Sequence, residues 1–521
     1  MISKIVILDG YTDEPAGLGV PPYINTYPRL VAGAVWNRVK DADIKYWTID
    51  DVRRNFGSFI KQARESQLLV VIGGAEVPGK YLGGRPLSIQ ELETILLLTK
   101  DVNRILIGPA ASHGFGSGGG NIAVETGRLR NLFTEIVRGD PEIYIDELIQ
   151  YGFEKARPWL LRENYELADK AFRLGAKIVL QHPNYGRNLV VEIETYRGCS
   201  RWITGGCSFC IEPRHGRPLM RSLKGIIEEV EALYRLGVRH IRLGKQPDIL
   251  AYMARDIGKQ VFPRPDPEVI ERLFQGIRNV APGLITLHID NVNPGTIVHY
   301  PEESIRILKT IVKYHTPGDV AALGIESFDE KVVNINNLKV YPDEALEAIR
   351  LINRVGRERG WNGMPHLLPG INLIYGLPGE SRNTYHTNLE YLTKIIREGL
   401  MVRRLNIRRV AVLENTPLWL RRDEVEYLLK KYRDLYRFHR VRVMQLFDKI
   451  MLKRILPPGT ILYYLIAEKK SSSHTIARFP GSYPIAVKVK GEIPLWSILA
   501  VRVKGYSAKS VSGEPISLRN L

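Results

Sequence analysis

Apolar residues along this chain fall into short unbroken runs, separated by longer segments where they recur every three or four positions. Residues 4–9 (KIVILD), 67–73 (QLLVVIG) and 104–108 (RILIG) are unbroken runs, as expected of strands buried on both faces of a parallel sheet. Segments 28–39 and 88–99 carry helical spacing between them. This alternation predicts a sheet with helices on both faces. Its binding crevice belongs at the C-terminal ends of the strands, near residues 9–17, 73–84 and 108–121. Residues 141–186 read as a helical, proline-containing connection. A second series follows, with strand runs at 189–194, 240–243, 284–289, 320–325, 370–375 and 404–412. Helical patterns intervene at 223–236, 267–280, 303–314, 342–355 and 381–398. Six such units predict a full or partial barrel with its chemistry at the C-terminal strand ends. After about Tyr436 the pattern changes: Pro457, Pro458 and Gly459 interrupt it, and short runs at 460–467, 482–489 and 498–503 predict a small antiparallel β-barrel.

The expected class is therefore α/β. A Rossmann-like parallel-sheet domain occupies 1–140 and a helical connection 141–186. A partial (β/α)6 barrel of TIM type occupies 187–445, and a basic β-barrel 446–521. A length of 521 residues suits two to four domains. With 44% apolar residues, 25 Tyr, 13 Phe and 7 Trp, a disordered polymer is excluded. The N-terminus lacks a signal peptide's long apolar core, and no uncharged apolar stretch reaches the ~18 residues of a spanning helix. A soluble cytoplasmic protein with no membrane partner is expected.

Charge changes this picture at one end. Residues 401–521 hold 24 Lys plus Arg against 9 Asp plus Glu, which is +15 of the chain's formal +18. Clustered cations raise local potential and release counterions from a polyanion, so an RNA-facing surface is expected; a merely solvated basic face is the alternative. Strands carrying Lys488, Lys490, Arg502 and Lys504 beside Tyr483 and Tyr506 would contact phosphates and stack a base.

The candidate chemistry is concentrated in one window. The three cysteines of the chain, Cys199, Cys207 and Cys210, lie on a glycine-bearing loop directly after the first strand of the second series. Three clustered thiols cannot build a disulfide framework. They can hold a [4Fe–4S] cube and leave one iron open to the amino and carboxylate groups of S-adenosylmethionine. A zinc site with His215 as fourth ligand and three unligated thiols are the alternatives. Gly114, Gly116 and Gly119 match GxGxxG, but the run follows a later strand after several residues, where a dinucleotide fingerprint would close the first strand into a helix. His288, Asp290, Asn291 and Asn293 end the third strand of the second series and are candidates for substrate contact or proton transfer, or for satisfied turn residues.

The loop resembles that of radical S-adenosylmethionine (radical SAM) enzymes. Cys207-Ser208-Phe209-Cys210 matches its CxxC end, although seven residues separate the first two cysteines where three are usual. Gly244, Lys245 and Gln246, after Leu243, resemble the family's motif for the methionyl amino group. Gly324-Ile325-Glu326-Ser327 resembles its GxES segment, implying that Glu326 and Ser327 reach the ribose or carboxylate. Gly376-Leu377-Pro378-Gly379-Glu380 resembles the turn whose backbone, at Gly376 and Gly379, meets adenine. Arg408 to Pro417 resembles the sixth-strand segment. The resemblance, from about Val190 to Pro417, implies a [4Fe–4S] cluster on Cys199, Cys207 and Cys210, bound S-adenosylmethionine, and an electron donor such as ferredoxin or flavodoxin.

The layout is similar to that of RNA methylthiotransferases, which end in an RNA-binding TRAM barrel, but the N-terminal domain here lacks their second set of three cysteines. It also lacks the Asp-x-His-x-x-Gly cobalamin motif, although many radical enzymes bind cobalamin without it and 17–32 resembles the start of such domains. An archaeal radical SAM family that often ends in a helix-hairpin-helix resembles the whole chain. Three readings stand at this point. One is a radical enzyme modifying an unactivated C–H position in RNA by methylation or methylthiolation. The others are a cobalamin-dependent radical methylase with a non-RNA substrate, and a nucleic-acid-binding protein with a structural or redox-sensing metal site.

Overall fold

A computed structural model describes residues 2–14, 17–18, 21–74, 84–116, 118–507 and 509–516. The expected crevice segments 9–17 and 73–84 lie partly outside these residues. The first unit is a five-stranded, all-parallel sheet in the order Asp43–Thr48, Lys4–Asp9, Leu68–Ile72, Asn103–Ile107, Glu135–Ile136. Leu68–Ile72 is buried along its whole length, which is why its sequence is an unbroken apolar run. Asp43–Thr48 is an edge strand whose buried and exposed residues alternate, and it belongs to none of the predicted runs.

The second unit holds six strands, Val190–Glu194, His240–Gly244, Thr286–Ile289 (continued by Asn291–Val292), Asp319–Glu326, Leu367–Tyr375 and Arg404–Arg409, all paired in parallel. The barrel is partial. The sixth strand pairs only with the fifth, while the first gains a neighbour from the N-terminal region, the two-residue strand Tyr23–Ile24. The N-terminal unit thus supplies part of the barrel wall, a pairing too short to leave a periodic signal.

Buried ion pairs fix this joint. Arg29, on helix Thr26–Arg38, donates to Glu229 at 2.9 Å, and Arg221 reaches the same carboxylate and Asp169. Inside the barrel, Arg242 pairs with Glu192 on the first strand and lies 3.6 Å from Asp290 on the third. These charges occur together because a lone buried ion would be severely penalised.

The terminal unit is a closed five-stranded barrel formed by Ile461–Lys470, His474–Arg478, Ala486–Lys490, Ile498–Tyr506 and Ser510–Ile516. Four of its pairings are antiparallel, and that between Ala486–Lys490 and Ser510–Ile516 is parallel. Two of the strands, His474–Arg478 and Ser510–Ile516, are polar and lie outside the predicted runs. Helices Arg422–Lys431, Arg433–Val443 and Lys449–Ile455 connect it to the radical barrel. No helix among the described residues is long and apolar enough to cross a membrane.

The terminal barrel sends residues 480–483 into the interior of the larger one. Thr286 donates to the Pro480 carbonyl at 2.5 Å, the Ser482 amide to His288 Nδ1 at 2.9 Å, the Tyr483 hydroxyl to Asp290 at 2.8 Å and the Tyr23 hydroxyl to the Gly481 carbonyl at 3.0 Å. The Arg404 guanidinium lies 3.8 Å from the centre of the Tyr483 ring. His288 Nε2 faces the Thr316 carbonyl at 3.0 Å, so a neutral ring protonated at Nε2 satisfies both neighbours. Burial agrees, bringing the imidazole down to about 4. A Cβ on Gly481 would sit 2.5 Å from His288 Cε1. Gly481→Ala is therefore expected to destabilise the fold by about 1–3 kcal/mol through overpacking, read as a lower urea midpoint with an unchanged m-value.

Candidate radical and cofactor site

The cysteine loop leaves the first barrel strand through Gly198, whose φ of +87° suits glycine. After Cys199 comes the 3-10 turn Ser200–Thr204, then Gly205 and Gly206, both with positive φ. The long spacer between the first two cysteines is therefore a compact turn. Arg201 anchors it, donating to the Asn337 carbonyl and side chain at 2.8 Å, to the Leu338 carbonyl at 3.1 Å, and toward Cys207 Sγ at 3.4 Å. Ser208 is tied to Asn336 through backbone and side chain, and Asn336 donates to the Pro378 carbonyl at 2.8 Å. Asn336 thus joins the cysteine loop to the turn after the fifth strand.

Cys199 and Cys207 are buried and Cys210 is half-buried. Burial pushes the Cys199 thiol up to about 11, with Arg201 and Lys339 pulling the other way. Burial raises Cys210 as well, and the other two thiols add to the rise. Lys339 has its ammonium raised by all three thiols and by Glu326, although burial opposes it. This lysine sits in an aperiodic connection after helix Glu330–Ile335, and no sequence pattern singles it out. Among the described residues no group of three or more His, Cys, Asp or Glu is arranged around a single ion. His215 lies beside Arg197, Asp140 and His113; burial first, then Arg197 and His113, hold its imidazole down to about 3, and it forms no three-residue ligand group with the thiols among the described residues.

Glu326 ends the fourth strand at φ +68° and Lys245 follows the second at φ +63°, both unusual for non-glycine residues. Burial pushes the Glu326 carboxyl up to about 7 against the pull of Lys339 and Arg408, and its Oε2 is buried without a partner. Ser327 accepts from the Asp329 amide at 3.1 Å and so supports the following turn. Gly376 and Gly379 have φ of +90° and +89°. Glu380 locks their turn by accepting from the Gly376 amide and, at 2.6 Å, from the Tyr385 hydroxyl. Gln246 accepts from Thr195 at 3.1 Å and donates to the Leu243 carbonyl, while Gly244 leaves room for the Glu192 carboxylate, 2.2 Å from where its Cβ would be. Lys245, brought down to about 7 by burial, lies over the Tyr27 ring.

Glu326 binds a proton more tightly in the fold than in the unfolded chain. Its contribution to stability is present below the ordinary 4.5 and lost as pH rises through about 7. Glu326→Gln is expected to flatten the pH dependence of unfolding across that window, measured by urea titration at successive pH values.

The structure gives other candidates different work. Asn293 caps helix Pro294–His299, Asn291 donates to the Gln246 carbonyl, and Asp290 and His288 hold the terminal barrel. Tyr483 is committed to Asp290 and Arg404, and the Tyr506 hydroxyl to the Leu456 carbonyl. The Tyr483 ring, covered by Arg404, is not the free stacking platform the sequence suggested. The glycine run touches the barrel: a Cβ on Gly119 would lie 2.4 Å from the Arg409 carbonyl, and the Gly120 amide donates to the Val410 carbonyl at 2.8 Å. These glycines dock the N-terminal unit beside the sixth strand.

A partial parallel barrel with a three-thiol loop after its first strand is the framework of one enzyme class, and a model of the radical SAM superfamily matches residues 193–392. The chain belongs to that family, and it is an enzyme of that class, whose members use a [4Fe–4S] cluster, S-adenosylmethionine and an electron donor. An uncharacterised protein of Methanocaldococcus jannaschii is 42% identical over 521 residues, covering 99% of this chain and 94% of the relative. A tRNA-2-methylthio-N(6)-dimethylallyladenosine synthase of Acetivibrio thermocellus is 22% identical over 213 residues, 39% of each chain. Among solved structures, the radical S-adenosylmethionine methyltransferase TsrM of Kitasatospora setae aligns with a TM-score of 0.51 at 15% identity, covering 80% of this chain and 75% of that one. The cobalamin-dependent S-adenosylmethionine radical enzyme OxsB aligns at 0.50 and 10% identity, covering 82% and 56%. These two likenesses concern the fold.

The donor set fits the family's cofactors. Three mutually close thiols beside Arg201 and Lys339 suit an anionic iron–sulfur cube, and the unpartnered Glu326 oxygen suits a ligand hydroxyl or ammonium. The cavity between the N-terminal unit and the cysteine loop, lined by Ser112, His113, Asp140, Arg162 and His215, measures about 50 Å³, far below the roughly 300 Å³ of small ligand sites.

Proposed function

We propose that Cys199, Cys207 and Cys210 hold a [4Fe–4S] cluster whose open iron takes S-adenosylmethionine, and that the chain modifies an unactivated C–H position in RNA. When bound, the pair supplies reductive carbon–sulfur cleavage, giving a 5′-deoxyadenosyl radical. The chain's residues bind and orient. Glu326 accepts a hydrogen bond from the ribose or amino group, and Ser327 holds the turn that presents it. Gly244, Lys245 and Gln246 flank the methionyl end, and the Gly376 and Gly379 backbone borders adenine. Lys339 and Arg201 balance the charge of the thiolates. Ferredoxin or flavodoxin is the donor class we assign.

The observation carrying the RNA reading is the charge: +15 lies in residues 401–521, next to the sixth strand. The resemblance to a tRNA-modifying enzyme supports it. The test is anaerobic reconstitution followed by assay for 5′-deoxyadenosine, and comparison of RNA modification profiles from cells with and without the gene. Deoxyadenosine without any RNA difference would reject the substrate class; no deoxyadenosine would reject the radical site.

A cobalamin-dependent methylase is a second reading, favoured by the N-terminal sheet directing its strand ends at the barrel. The narrow cavity weighs against it. Cobalamin retained on purification would restore it.

A further inference from the structure

Most of the basic excess precedes the terminal barrel. Residues 401–460 hold 15 Lys plus Arg against 6 Asp plus Glu, whereas 461–521 hold 9 against 3. Five of those 15 cations line one cleft of about 290 Å³ beside the sixth strand. Arg408 and Arg409 form one wall. Helix Arg433–Val443 forms the other, with Arg433, Arg437 and Arg440 on one face at helical spacing. Lys509, from the terminal barrel, joins them, and Asp448 is the one carboxylate among the described lining residues. Arg433 and Arg437 share a single exposed partner, Asp434, at 3.6 and 3.5 Å, contacts worth little in water.

The cleft adjoins the radical site. Arg408 lines it and is also near enough to Glu326 to pull its carboxyl down. Among the described residues no strand pairs with the outer edge of Arg404–Arg409, where the Tyr436 hydroxyl donates to the Ile407 carbonyl; just beyond it Gly120 and Ala123 donate to Val410 and Val412.

We propose that this cleft holds the phosphodiester backbone of single-stranded RNA and leads one nucleotide past the sixth strand toward Glu326. The inference rests on the RNA reading above and places the polymer on the sixth strand and helix Arg433–Val443, with the terminal barrel adding only Lys509. Arginines at helical spacing contact successive phosphates, while the cleft's 290 Å³ is near the lower bound of ligand pockets, roughly 300 Å³.

The test is fluorescence anisotropy of a labelled oligouridylate with the full chain, titrated over a range of KCl. Arg437→Gln with Arg440→Gln is expected to weaken binding roughly tenfold and lower the slope of log Kd against log salt by about 1.4, two phosphate contacts on a single strand. The lysine pair Arg437→Lys with Arg440→Lys is expected to keep the slope, and thermal unfolding of both variants to match the parent. An unchanged slope in the glutamine pair, or its loss in Lys488→Gln with Lys490→Gln instead, overturns the assignment. So does loss of the slope in the lysine pair, or displacement of the oligonucleotide by low millimolar inorganic phosphate, which marks a site for a small phosphate ester. If the parent chain binds no RNA, the RNA reading itself falls.

Discussion

Cys199→Ala, Cys207→Ala and Cys210→Ala are each expected to abolish deoxyadenosine formation and to remove the loading of about four irons per chain. Each thiol sits in a loop fixed from two sides, by Arg201 on Asn337 and Leu338 and by Ser208 on Asn336. The groups that act on His215 are Arg197, Asp140 and His113, none of them a thiol. His215→Ala is therefore expected to retain iron. Iron quantification and the visible absorption of reconstituted protein check both halves. A cysteine variant that still cleaves S-adenosylmethionine would falsify the ligand assignment.

Arg242→Ala should lower stability by about 3–5 kcal/mol, because it leaves Glu192 and Asp290 as buried carboxylates without their cation. The effect extends beyond the pair. Asp290 also receives the Tyr483 hydroxyl, and Arg242 lies over the Tyr23 ring, so the lesion reaches both the strand lent by the N-terminal unit and the loop inserted from the terminal barrel. Urea denaturation measures the loss. Combining Arg242→Met with Glu192→Gln and Asp290→Asn is expected to recover much of it, since burying neutral partners avoids the desolvation of unpaired charge. If the triple variant is no more stable than Arg242→Ala, shape and not charge dominates at this position.

Each predicted run of the barrel series overlaps an observed strand; Asp319–Glu326 is buried along its whole length, whereas the sixth strand, Arg404–Arg409, is half-buried and polar, and the apolar residues that follow it carry its signal. The cysteine loop was legible because thiols are rare in this chain and all three fall at one strand end. What escaped did so for identifiable reasons. Asp43–Thr48 is an edge strand with one solvated face, and Tyr23–Ile24 has only two residues. Lys339 and Asn336 act through tertiary approach from a connection with no period, so neither pattern nor spacing marks them. Tyr483 and Tyr506 bond through their hydroxyls to Asp290 and Leu456, partners on distant segments that leave no mark in the sequence. The basic tail was legible as a total, while its partition between a cleft and a barrel depended on which helix face meets the sixth strand.

The hydrogen bond from Tyr23 to Gly481 joins residues 458 positions apart. During synthesis the first of these leaves the ribosome long before the second exists, so the catalytic barrel stays open at its inner face until translation is nearly finished. Contacts of such separation close slowly. An interrupted nascent chain would carry the thiol loop without the seal, and quality-control proteases would meet a polypeptide with an exposed interior. A chain stopped before residue 480 would leave Thr286, His288 and Asp290 without the partners that close this part of the larger barrel.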